Sequence, residues 1–67
     1  MTVEEVNERV AEIERIVRDP EAAHVYEDQL WHDVLFEIAA GVPSAHASNL
    51  AVAALQTESL KFPRWCA

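Results

Sequence analysis

The chain has 67 residues, 51% of them hydrophobic, and twelve Asp and Glu against five Lys and Arg leave a net charge of -7. That apolar content excludes an acidic disordered tail, which lacks the surface needed to offset ordering entropy, and the acidity opposes phosphate backbones, which are bound by neutralising basic groups. A single cysteine permits no internal disulfide, and the longest apolar run, Leu50 to Leu55, is far below the roughly 20 residues of a membrane span, so a cytoplasmic protein with no membrane partner is expected.

Thr2 followed by Glu5 is a capping-box pattern that satisfies donors left orphaned by a first helical turn. A helix over about 3–18 is therefore predicted, with Val3, Val6, Val10, Ile13 and Val17 in one apolar stripe that faces a core or a partner. Glu5 with Arg9 and Glu14 with Arg18 are spaced to pair along it.

Asp19-Pro20 ends this helix and starts the next, because the residue before a proline is pushed out of the helical region while proline suits the first helical position. The second helix is predicted over 20–40 and stops at Gly41 and Pro43. Leu30, Trp31, Val34, Leu35 and Ile38 cover a broad face, whereas Val25 and Phe36 lie across the wheel, so this helix is expected to be flanked on more than one side.

Ser44 is placed to cap a third helix, over 44–57, with Ala47, Leu50, Ala51, Ala54 and Leu55 as its apolar stripe. Beyond it, Leu60, Phe62 and Trp65 mark a tail that Pro63 keeps from being helical. The expected fold is all-α: a single domain over 1–67, a three-helix bundle with a short aromatic C-terminal tail. A core this small supplies only about 3–5 kcal/mol, so self-association as a homodimer is compatible with it.

His24, Asp28 and His32 recur at four-residue spacing on the second helix and form the strongest candidate for chemistry. Imidazole and carboxylate are ligand types that transition metals accept, and Glu21-Ala22-Ala23-His24 has the Glu-x-x-His spacing of carboxylate-bridged bundles. Eight residues nevertheless separate His24 from His32 by about 12 Å along the axis, more than one ion spans easily. The metal-binding alternative therefore requires a dimer to complete the site. Otherwise the ladder is a solvated strip on which Asp28 pairs with His32.

Catalysis finds no support. Cys66 sits one residue from the end, Ser44 is accounted for as a cap, and one glycine cannot build a phosphate loop. No enzyme and no cofactor are expected. The turn from Ile38 to Ser44 has a partial likeness to a helix-turn-helix, but 44–57 contains no Lys or Arg to meet DNA. Mimicry of DNA by the acidic surface is a further alternative.

Lys61 and Arg64 flank Phe62, so the last eight residues carry +2 while the first 59 carry -9. Aromatics with arginine are favoured at interfaces, which makes Phe62, Arg64 and Trp65 candidate partner-binding residues. The competing expectation is that Phe62 and Trp65 fold back to close the bundle, with Lys61 and Arg64 meeting acids on the first helix.

The segments Glu27-Asp28-Gln29-Leu30, Ile38-Ala39-Ala40-Gly41 and Phe62-Pro63-Arg64-Trp65-Cys66-Ala67 resemble short uncharacterised proteins of actinobacteria and their phages, over residues 10 to 67. The resemblance implies a bacterial or phage cytosolic setting and supplies no activity. The expected function is a non-enzymatic protein-protein interaction or modulator protein, with contacts through the first helix's valine stripe or the C-terminal tail.

Overall fold

A computed structural model describes residues 1–64 and shows three α-helices, α1 (Val3–Arg15), α2 (Pro20–Gly41) and α3 (Ser44–Leu55), followed by a 3-10 turn over Gln56–Ser59. Among the described residues there is no strand, and no helix is long and apolar enough to cross a membrane. Each helix packs against both others. The 22 residues of α2, at 1.5 Å rise each, reach about 33 Å and set the longest dimension of a 36 × 19 × 15 Å body.

The start of α1 is the predicted capping box. The Thr2 amide donates to Glu5 Oε1 at 2.8 Å, and the Glu5 amide donates to Thr2 Oγ1 at 3.1 Å. The helix ends at Arg15, three residues before the expected 18. Ile16 leaves the helical region (φ -113°, ψ 16°), and the tight Ile16 N–H to Ile13 O and Asp19 N–H to Ile16 O bonds carry Ile16 and Val17 toward the core before Pro20.

Neither predicted pair along α1 forms. Glu5 is engaged in the cap, Arg9 reaches Asp33 on α2 at 2.8 Å, and Arg18 lies beyond the helix. The valine stripe is core: Val6 and Ile13 are fully buried, with Val3, Val10 and Val17 packed around them. It is thus not a free contact surface.

Asp19 caps α2 by accepting from the Ala22 amide at 3.2 Å, with Pro20 at the first position. Gly41 closes it at φ +102°, a conformation strained for any residue with a Cβ. On α3 the expected cap shifts by one residue. Pro43 stands at the N-cap, Ser44 is already helical and makes no side-chain cap, and the Pro43 carbonyl accepts from the Ala47 amide at 2.9 Å.

The core joins Val6 and Ile13 from α1, Ala23, Leu30 and Val34 from α2, Leu50, Ala53 and Ala54 from α3, and Phe62 from the tail. Alanines on α3 let the helices approach closely, so the larger side chains of α1 and α2 fill the centre. Leu55 is half exposed instead of joining this stripe, and Leu35 points to solvent.

Candidate functional site

Each functional candidate among the described residues lies on α2 or against it, and rotation along the helix decides which face each one joins. A four-residue step turns the helix 40° past a full revolution, so two steps move His32 well around from His24. His24 is turned inward, its side chain only 15% exposed, and its Nε2 lies 3.3 Å from Asp28 Oδ1. His32 is outside, 3.3 Å from Asp33 Oδ1, with its ring stacked on Phe36 at 6.1 Å.

The ladder therefore does not converge. The structure pairs His24 with Asp28 and His32 with Asp33, in place of the expected Asp28–His32 pair. Among the described residues no three His, Cys, Asp or Glu side chains come together to hold a metal ion, which removes His24, Asp28 and His32 as a ligand set within one chain. His24 Nδ1 is buried without a hydrogen-bond partner among the described residues.

The inner face of α2 carries a buried ion pair that bridges to the tail. Arg64 Nε donates to Glu27 Oε1 at 2.8 Å and its Nη2 to Oε2 at 3.0 Å, a bidentate fork. The same guanidinium donates to the carbonyls of Thr57 (2.9 Å), Phe62 (3.2 Å) and Leu60 (3.3 Å) and sits 3.9 Å above the Phe62 ring. Trp31 Nε1 donates to the Thr57 hydroxyl at 3.0 Å. Burial pushes the Glu27 carboxyl up, but hydrogen bonds from Arg64 and Thr57 and the charge of Arg64 outweigh it and hold the group below its usual value.

These contacts revise the tail. Phe62 is buried and Arg64 is locked onto Glu27, so both side chains close the bundle and are not free for a partner, as the fold-back expectation has it. The acid that Arg64 meets is on α2, not on α1, and Lys61 stays exposed. Trp65, the third candidate of the tail, lies outside the described residues.

A second ionic cluster joins α1 to α2. Asp33 accepts from Arg9 at 2.8 Å and from Gln29 at 2.9 Å; these bonds and the His32 contact lower its pKa. Further along, the ammonium of Met1 donates to Glu37 at 3.0 Å, and His46 Nε2 lies 2.9 Å from the Met1 carbonyl.

The outer face of α2 carries exposed apolar side chains with Gln29 and His32 between them. Val25 (60% exposed), Tyr26, Leu35 (65%) and Phe36 (68%) face solvent, and Ala39 and Ala40 continue the surface. None of the described residues covers this side, contrary to the expectation for Val25 and Phe36. At its N-terminal end the strip opens into a cavity of about 340 Å³ between α1 and α2, lined by Arg9, Glu12, Ile13, Val25, Tyr26 and Gln29.

Val25, Gln29, His32 and Phe36 stand at i, i+4, i+7 and i+11, one line along a helix. That spacing was the available signal, but the inner face is equally apolar, so α2 lacks the contrast that marks a buried side. Comparison of the chain with known protein families, curated proteins and solved structures finds no match.

Proposed function

We propose that this chain is a non-enzymatic interaction module that docks another protein on the outer face of α2. The observation that carries this reading is the exposed line from Val25 to Phe36 with Leu35 beside it. Large apolar side chains left uncovered together on a small soluble domain mark a binding surface more often than a structural need. The groups that catalysis would require support it too. The most buried carboxylate, Glu27, is held by Arg64, and Asp33 and Glu37 are engaged by Arg9 and the Met1 ammonium.

The test is a paired recovery from the organism that encodes the chain, using the wild type and the double variant Leu35→Ser/Phe36→Ser. Both residues are exposed, so the variant should keep its helicity and its stability within about 0.5 kcal/mol. A partner recovered by the wild type and lost by the folded variant is the expected result. Recovery of the same proteins by both, or unfolding of the variant, would refute the outer face of α2 as the contact.

A further inference from the structure

Resting on that docking reading, we infer that the outer face of α2 receives a basic amphipathic helix of another protein, whose apolar side covers Val25, Leu35 and Phe36 and whose Lys or Arg residues meet Glu21 and Asp28. Three observations fix this chemistry.

The first is length and shape. Eleven residues from Val25 to Phe36 span about 16 Å, three helical turns. Among the described residues there is no strand and so no sheet edge for strand addition, and a three-turn strip suits helix-in-groove docking. The cavity between α1 and α2, floored by Ile13 and walled by Val25 and Tyr26, has room for a large apolar anchor.

The second is charge. Five of the 22 residues of α2 are acidic and none is Lys or Arg. Glu27, Asp33 and Glu37 are already paired with Arg64, Arg9 and the Met1 ammonium. Glu21 and Asp28 stay exposed on one side of the line, and among the described residues Asp28 pairs with His24 alone, which is a cation only when protonated. Glu12 lines the cavity on the other side, where it holds Arg15 at 3.2 Å. Acids thus frame the first half of the strip, while Leu35, Phe36, Ala39 and Ala40 make its second half apolar.

The third concerns the competing occupant. A second copy would bring α2, which has no Lys or Arg, against itself, and each chain carries -7. Like charges brought together at an interface are strongly unfavourable. A basic helix reverses the sign of that term and leaves the apolar contact intact.

The experiment uses the full chain and a fluorescent leucine–lysine amphipathic peptide of about 18 residues, with versions carrying glutamine or glutamate in place of lysine. The lysine peptide is expected to bind and to shift the amide resonances of Val25, Leu35 and Phe36. Affinity should fall at least about tenfold in Leu35→Ser/Phe36→Ser, and at least about threefold in Glu21→Gln/Asp28→Asn or in 0.5 M salt.

Equal or tighter binding of the glutamine or glutamate peptide at the same residues overturns the basic partner and leaves docking on α2 standing. Lysine-peptide binding indifferent to Leu35→Ser/Phe36→Ser, or mapped to another face, overturns both. Absence of binding by all three peptides overturns the basic helix, and the paired recovery then judges the docking reading by itself. A doubled mass in sedimentation, abolished by Leu35→Ser/Phe36→Ser, assigns the strip to a second copy and overturns the proposal.

Discussion

Replacing Arg64 by Ala removes the fork from Glu27, a carboxylate only 5% exposed. Breaking a buried pair by deleting one partner costs about 3–5 kcal/mol, because the remaining charge is left uncompensated. The Arg64 side chain is 34% exposed, so water enters part of the vacated space and the expected loss is about 2–3 kcal/mol. A domain of this size has about 3–10 kcal/mol in all, and the melting temperature should drop by about 10–20 °C.

The loss also depends on pH in a defined direction. In the wild type Glu27 titrates below its ordinary 4.5, so its stabilisation is complete above that value and disappears as pH falls through the folded-state pKa. Without Arg64 only the Thr57 hydrogen bond and His24 still oppose burial, so the carboxyl pKa rises from its wild-type position, and the difference between the two proteins is full above that risen value and shrinks as pH falls through it. Urea unfolding followed by circular dichroism should therefore show the gap between wild type and Arg64→Ala narrowing from pH 7 toward pH 4. The apolar pair Glu27→Leu/Arg64→Met should come within about 1 kcal/mol of the wild type. A gap under about 1 kcal/mol at pH 7, or one that is constant down to pH 4, would refute this account of the pair.

The wild type itself should lose stability on acidification: Glu5, Glu27 and Asp33 all titrate below their ordinary values, so the stabilisation is present above about pH 4.5 and falls away below it, as melting temperatures in a pH series will show. Thr2→Ala removes the acceptor for the Glu5 amide and should cost about 1 kcal/mol, read by urea unfolding. Gly41→Ala places a Cβ at φ +102°, although nothing lies within 4 Å of it, so a loss of about 1 kcal/mol from backbone strain alone is expected, with Gly41→Asn losing less.

Local signals carried the fold where one residue type has one use. Thr2 with Glu5, Asp19 with Pro20, and Gly41 each act within a turn of helix, and each stands where the sequence places it. The end of α1 was not legible, because nothing in Ile16-Val17-Arg18 breaks a helix; burial of Ile16 and Val17 beside the Pro20 junction does so. Arg9 shows the same limit for charge, since a neighbour at four residues loses to Asp33 across the helix interface. The candidate site was obscured for two reasons. Forty degrees of drift per step separate His24 from His32, and apolar residues on both sides of α2 conceal which side is covered. The partner of Glu27 lies 37 residues away, beyond any local pairing rule.

That separation bears on how long the folded state lasts. Arg64 can engage Glu27 only after α2 and the 3-10 turn have come side by side, so this pair belongs to a late stage of folding. Interactions absent from the folding transition state act on the rate of unfolding and leave the rate of folding nearly unchanged. The strap from Leu60 to Arg64 therefore governs the lifetime of an assembled bundle more than its assembly, a clasp fastened after the three helices have met.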